Sequence, residues 1–185
     1  MERERLRALV EAILTTARSP VTAEAVSEAV DDPSVGLDVV GGVFEELRTE
    51  WETSRRGLRL ERVAGGWRAV TPADMDAELR AFHGLQQKQR LSQAALEVLA
   101  IVAYRQPVTQ PEINFIRGTN SAAVLRTLLD RGLIRMAGRK AVVGKPFLYR
   151  TTKEFLVHFG LDRIEELPEP EDIAGGEGSD DIDVN

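Results

Sequence analysis

The side chains that most often carry out catalysis or hold metals are few in this sequence and poorly placed for it. Cysteine is absent, and the two histidines, His83 and His158, have no second ligand at a spacing that would form a metal cage. The paired carboxylates Asp31-Asp32 and Glu45-Glu46 have no neighbouring nucleophile or base that would mark an active site. We therefore expect no enzyme, no metal site and no cofactor.

Neither a bound nucleotide nor a membrane is expected. Gly41-Gly42 lies inside a helical pattern and Gly65-Gly66 lies in a turn, so the sequence contains no glycine-rich phosphate loop. Residues 1–5 (MERER) lack the apolar stretch of a signal peptide, and the longest apolar run, at 98–104, is too short to span a bilayer. Together with the absence of cysteine, this pattern predicts a soluble protein of the reducing cytoplasm.

Charged side chains are frequent in this sequence, and they are unevenly distributed. The 185 residues include 24 basic and 30 acidic side chains, for a net charge of −6. Residues 1–90 carry 13 basic and 16 acidic side chains, residues 91–160 carry 10 and 4, and residues 161–185 carry 1 and 10. A basic middle segment is typical of a module that binds a polyanion or of a domain with an acidic partner.

The basic side chains of the middle segment concentrate on one predicted helix and the hairpin that follows it, next to Thr119 and Asn120. Such a face binds phosphates or an acidic protein segment, although arginines on helix and hairpin surfaces are often only solvated or paired. These residues do not distinguish the possibilities. The candidate partner-binding residues are Arg117, Arg126, Arg131, Arg135, Arg139, Lys140 and Lys145.

An internal repeat indicates which elements position these residues. Arg18-Ser-Pro-Val-Thr22 recurs as Arg105-Gln-Pro-Val-Thr109, 87 positions later, and each copy follows an apolar helical pattern. In both copies the proline ends one helix and the threonine can cap the next. Thr109 and Glu112 have the spacing of a reciprocal capping box.

The same elements follow each copy of the repeat. A third helical pattern ends at Arg-Gly-Leu (56–58 and 131–133), where the glycine is a C-cap signal. Two β-runs come next, at 58–63 with 67–71 and at 133–139 with 146–151, and a short capped helix closes each half, at 73–82 and 155–159. Three helices and a two-stranded wing are the order of a winged helix.

We therefore predict a mainly α fold with small β-hairpin wings (α+β), built as two tandem winged-helix domains. The first spans residues 1–84 and the second residues 91–160, with a polar linker at 85–90. Residues 161–185 form an acidic tail, which we expect to be disordered from about residue 169 because glycine and dense like charge disfavour a packed structure.

The third helix of a winged helix usually enters the major groove of DNA. In the first domain this helix carries Glu45, Glu46, Glu50 and Glu52 against one arginine, Arg48, and we expect the glutamates to form a solvated face that repels phosphate. Its exposed surface suits protein contact instead, including self-association. The second domain remains open to either kind of ligand.

The second half also resembles a known family. Residues 91–109 (LSQAALEVLAIVAYRQPVT), 116–118, 124–134, 138–140 and 144–161 are similar to the core motif of the segregation and condensation protein B (ScpB) family. The first half is more loosely similar, at 19–22, 56–58 and 65–71. The resemblance covers about residues 5–168 and excludes the acidic tail. Ala122-Ala123 and Arg150 depart from the family pattern.

The resemblance implies a non-catalytic subunit of the condensin-like SMC–kleisin complex. In that family the N-terminal domains form a homodimer that binds the kleisin ScpA, which bridges the heads of the SMC ATPase during chromosome condensation and segregation. We then expect a nucleoid-associated protein of the cytoplasm, with weak or indirect DNA contact, no membrane and no small-molecule substrate. The basic second domain would bind the kleisin. The alternative is a tandem winged-helix DNA-binding transcriptional regulator.

Overall fold

Helices precede a β-hairpin in each half of the chain. The computed structural model describes residues 1–84 and 90–169, and the chain divides into two units at residues 87 and 88. The predicted linker (85–90) and the predicted disorder from residue 169 therefore lie, except for residues 90 and 169, outside the described residues. None of the described helices is long and apolar enough to cross a membrane.

The first unit has three helices, a hairpin and a closing helix. Its elements are α1 (Arg3–Thr16), α2 (Ala23–Val30), α3 (Leu37–Thr53), β1 (Arg59–Val63), β2 (Gly66–Val70), a 3₁₀ turn (Ala73–Met75) and α4 (Asp76–His83).

The core of the first unit lies under α3. Apolar residues spaced three and four apart on this helix share one face, and that face is buried. Phe44 stacks on Trp67 of β2 with 5.7 Å between the ring centroids, which ties the helix to the hairpin. The buried side chains of α3 are Val40, Val43, Phe44, Leu47 and Trp51.

The second unit repeats this order with one additional strand. Its elements are α5 (Gln93–Arg105), β3 (Val108–Thr109), α6 (Gln110–Arg117), α7 (Ala122–Asp130), β4 (Ile134–Arg139), β5 (Phe147–Thr151), α8 (Lys153–Phe159) and a 3₁₀ turn (Ile164–Glu166). The sheet is antiparallel in the order β3-β5-β4. The predicted fold class, α+β with two tandem winged helices, is confirmed.

The repeated motif does more than end one helix and cap the next. In the second unit Val108 pairs with Tyr149, and in the first unit Val21 forms an isolated antiparallel bridge with Trp67. The valine of each copy therefore joins the sheet edge of its own wing. Two-residue pairing of this kind is too short to show alternation, so the sequence did not predict it.

Two helix boundaries differ from the prediction. Gly132 adopts the expected left-handed conformation after α7 (φ 70°), but after α3 this conformation belongs to Arg55 (φ 48°) and not to Gly57. Helix α8 begins at Lys153, two residues earlier than predicted, because the Thr152 hydroxyl accepts a hydrogen bond from the Phe155 N–H at 3.1 Å.

The chain after α8 packs on the second unit. Leu161, Ile164 and Leu167 are partly buried against its core, and the Tyr104 hydroxyl donates a hydrogen bond of 2.7 Å to the carbonyl of Pro168. The second unit thus includes the first residues of the segment predicted as a tail, up to residue 168.

Candidate partner-binding surface

The seven basic residues predicted as a binding site lie on α6, on α7 and its end, and on the hairpin with its loop. Their environments differ. Three have partners inside the unit, two of these three being exposed as well, and the other four are exposed.

Arg117 is held inside the second unit. Its guanidinium donates to Glu97 at 2.9 Å and to the Ser121 hydroxyl at 3.1 Å, and its side chain is only 10% exposed. Ser121 is fully buried, and its N–H donates to the Asn114 side-chain oxygen at 2.8 Å. Arg117 therefore joins α5 and α6 to the start of α7, and little of its charge faces solvent.

Lys140 is engaged with the start of α6. Its ammonium donates to Glu112 at 2.5 Å, and the other carboxylate oxygen accepts from the Thr109 N–H at 2.8 Å and from the Thr109 hydroxyl at 2.7 Å. Lys140, the Thr109 hydroxyl and the Thr109 N–H, in that order, lower the pKa of Glu112 from 4.5 to about 2. The predicted capping box is confirmed.

Arg139 has both its flat face and one edge engaged. The guanidinium lies 3.8 Å from the centroid of the Phe147 ring, and Nη1 donates to the Lys145 carbonyl at 2.9 Å. These contacts hold Arg139 in one orientation on the surface of the wing.

The other predicted residues face solvent. Arg126 and Arg131 are exposed on and just after α7, Arg135 on β4 and Lys145 in the hairpin loop. Within residues 1–84 and 90–169, the structure gives Arg126, Arg135 and Lys145 no ion-pair partner.

Arg150 belongs to the same surface, although it was not predicted as a binding residue. It lies directly opposite Arg135 in the β4–β5 register, and both side chains are exposed. The next pair along, Met136 and Tyr149, places the buried Tyr149 on the other face of the sheet. Like charges directly opposite each other destabilise a strand pair unless an anion offsets them. Arg135 and Arg150, the arginine pair, are thus a candidate anion-binding site.

An apolar concavity was also missed. A groove of about 450 Å³ is lined by Arg105, by Pro107 and Val108, and by Pro111, Glu112, Phe115 and Ile116 of α6. Phe115 is 88% exposed and Ile116 is 52% exposed. Their adjacency in an amphipathic helix was the available signal, but periodicity alone does not show which apolar residues stay uncovered.

The acidic face of the first unit is more structured than predicted. Glu46 pairs with Arg3 at 2.5 Å, and Glu50 pairs with Arg7 and, at 2.7 Å, with Arg56. The glutamates of α3 were expected to be simply solvated, but α1 brings arginines alongside them. Each exposed pair contributes little stability, although together they orient one helix on the other.

These exposed surfaces are suited chemically to binding. In the part of the chain that the structure describes, no group of three His, Cys, Asp or Glu side chains is placed to hold a metal ion. Two winged-helix units, one with an exposed basic hairpin and an apolar groove, define a tandem winged-helix protein with surfaces for macromolecular partners.

Comparison with known proteins specifies the family. The family model described as "Segregation and condensation complex subunit ScpB" matches residues 8–170, so the chain belongs to the ScpB family, which acts in chromosome segregation and condensation.

Individual relatives and solved structures are similar over most of their length. Segregation and condensation protein B of Syntrophotalea carbinolica is 41% identical over 91% of this chain and 83% of its own. The protein of the same name from Moorella thermoacetica is 39% identical over 94% and 87%. Among solved structures, ScpB from Mycobacterium tuberculosis is 36% identical and matches 87% of this chain and 98% of its own, with a TM-score of 0.40.

Proposed function

We propose that this protein is a non-catalytic subunit of the SMC–kleisin complex, a homodimer that binds the kleisin ScpA and supports chromosome condensation and segregation during cell division. The observation that carries the proposal is the family match, which runs through both units (residues 8–170). The protein would act in the cytoplasm at the nucleoid, reach the SMC ATPase through the kleisin, and use no cofactor, membrane or small-molecule substrate.

We place the kleisin contact on the exposed basic surface of the second unit. The arginine pair supports this placement, since an acidic partner segment would offset the repulsion between Arg135 and Arg150. Arg126, Arg131 and Lys145 extend the positive charge to α7 and the hairpin loop. Arg117, Arg139 and Lys140 already have partners in the unit, and their proposed part is to hold the surface in shape.

We place the homodimer contact on the first unit. Helix α4 has no buried residue in the single chain, and Phe82 on this helix is 83% exposed. An aromatic ring left uncovered on an amphipathic helix is typical of a protein contact, and a second copy offers the same apolar face.

Mechanistically, the protein would order a kleisin segment. A dimer has two copies of the basic second unit. A kleisin chain that contacts both copies can adopt fewer conformations between the SMC heads. The ATP chemistry belongs to the SMC subunit. The role of this protein is to restrict where the kleisin runs.

The test is calorimetric titration of the full chain with the central segment of ScpA from the same organism. We expect saturable binding with fewer than one kleisin per chain, as for a dimer that holds one partner. The double variant Arg135→Glu/Arg150→Glu should weaken binding at least about tenfold, equivalent to about 1.4 kcal/mol. The matched control, Arg18→Glu/Arg59→Glu, makes the same charge change on exposed residues of the first unit and should bind as the wild type does.

Two outcomes would contradict the proposal in different ways. Equal affinity of the two double variants would move the kleisin contact away from the arginine pair. A folded wild-type chain that binds no kleisin would contradict the function itself. Titration with duplex DNA completes the test, because a DNA-binding regulator would lose affinity steeply between about 50 and 200 mM salt. We expect DNA contact to be weak or indirect.

A further inference from the structure

The groove beside α6 exposes apolar side chains to solvent. Val108, Pro111, Phe115 and Ile116 supply its apolar part, and Phe115 and Ile116 lie largely in solvent. An apolar concavity of this size favours an occupant with apolar side chains.

The groove also has a charge preference. Arg105 at its edge is exposed, and the described residues offer it no ion-pair partner. Glu112 is the acidic residue of the lining, but its charge is offset by Lys140 at 2.5 Å. The groove therefore favours an apolar segment that also carries carboxylates.

The chain itself supplies such a segment beside the groove. The hydrogen bond from Tyr104 to the Pro168 carbonyl holds residue 168 against α5, and the next residue of α5 is Arg105. Residues 170–185 follow. Sixteen residues reach roughly 50 Å when extended, which is ample for any point on the same unit.

The composition of residues 170–185 matches the preference of the groove. The segment has apolar residues next to acidic ones, in Asp172-Ile173 and in Asp181-Ile-Asp-Val184, and no basic residue. Its acidic residues are Glu171, Asp172, Glu177, Asp180, Asp181 and Asp183.

We propose that residues 170–185 dock into the α6 groove of their own chain, with Ile182 or Val184 against Phe115 and a neighbouring carboxylate on Arg105. Tethering makes docking intramolecular, so weak contacts are sufficient to populate it. A partner segment that uses the same groove must first displace the tail. The docking itself does not depend on kleisin binding.

A spin label placed in the tail tests the docking. The chain has no cysteine, so Ser179→Cys creates a single attachment site for a nitroxide on the full-length, ¹⁵N-labelled protein. We expect stronger attenuation of the α6 amide signals around Phe115 and Ile116 than of the α7 signals around Arg126. Both Arg105→Glu and Phe115→Ala should abolish this difference. Arg126→Glu, an equal charge change at another exposed helical arginine, should preserve it.

Three results would overturn the proposal. Attenuation centred on α7 and the wing, and lost in Arg126→Glu, would place the tail on the basic surface. Equal attenuation over the unit would mean that the tail does not dock. In a mixture, ¹⁵N chains that carry no nitroxide are observed while ¹⁴N chains carry the label. Attenuation of the α6 amide signals in this mixture would assign the groove to the tail of a second copy. Since no kleisin is present, each of these results leaves the proposed function to be judged by its own titration.

Discussion

At the scale of residues, the second unit contains two kinds of basic side chain. Arg117 and Lys140 pair with carboxylates of their own unit, whereas Arg135 and Arg150 lie opposite each other on β4 and β5, and the described residues give neither an ion-pair partner. The paired residues stabilise the fold, whereas the opposed arginines lower its stability. An acidic ligand would offset the repulsion between the opposed arginines.

Replacing Arg117 should destabilise the protein. Arg117→Ala removes the hydrogen bonds to Glu97 and to the buried Ser121 hydroxyl, and the lost contacts should lower the free energy of unfolding by about 1–3 kcal/mol. Chemical denaturation followed by circular dichroism measures it. Arg126→Ala, at an exposed arginine, should change stability by less than about 0.5 kcal/mol. Equal effects of the two variants would contradict the structural role of Arg117.

Glu112 should titrate far below its usual range. Its pKa is about 2 in the folded chain, and its usual value is 4.5, so its ionised form stabilises the fold. That stabilisation is fully present above pH 4.5 and is lost as the pH falls from 4.5 through about 2. The carboxyl ¹³C shift of Glu112, followed against pH, measures the pKa. Lys140→Met should raise it towards 4.5, and a wild-type midpoint already near 4.5 would contradict the ion pair.

At the scale of elements, hydroxyl side chains link the helices to the hairpins. Thr152 is the clearest case, because its hydroxyl donates to the Gly132 carbonyl at 2.6 Å and accepts from the Phe155 N–H at 3.1 Å. One side chain thereby starts α8 and joins it to the chain just before β4. Thr152 therefore both caps its own helix and contacts a residue that is distant in the sequence.

Removing this hydroxyl should cost more than an ordinary threonine substitution. Thr152→Ala should lower the free energy of unfolding by about 1–2 kcal/mol, because α8 loses its cap and the Gly132 carbonyl loses a donor. The control is Thr127→Ala on α7, where the exposed hydroxyl donates to the Ala123 carbonyl of its own helix. Alanine favours a helix, so this control should be neutral or slightly stabilising in thermal unfolding. A neutral Thr152→Ala would show that the cap is dispensable.

At the scale of the whole molecule, the two units share an order of elements but differ in surface chemistry. The first unit pairs its helix-three glutamates with its own arginines and leaves an aromatic ring exposed on α4. The second unit leaves arginines exposed on its wing. The same order of elements thus carries different exposed side chains in the two units, and the proposed dimer and kleisin contacts rest on that difference.

Self-association should depend on the exposed ring of α4. Sedimentation equilibrium of the wild-type chain, whose mass is 20.5 kDa, should give twice that mass. Phe82→Glu should shift the equilibrium to the monomer, because a carboxylate cannot be buried without a partner. Phe115→Glu, the same change at an equally exposed ring of the second unit, should remain dimeric. A dimeric Phe82→Glu variant would place the contact elsewhere.

The sequence by itself determined the order of the elements. The third helical pattern, the two β-runs that follow it and capping residues such as Thr22 and Thr109 are local signals, and the structure has α3, β1 with β2, and the two caps there. The repeat then indicated that the same order occurs twice, and the absence of catalytic constellations favoured a binding protein.

Only the tertiary structure decided which of the basic residues are available to a partner. Arg117 meets Glu97 across 20 positions and Lys140 meets Glu112 across 28, so composition and spacing do not reveal that these charges are engaged. The opposition of Arg135 and Arg150 depends on strand register, which also has an irregularity between Met136 and Arg139. Helices and caps follow from neighbours along the chain, whereas ion pairs, strand register and the α6 groove are set by residues that come together only when the unit packs.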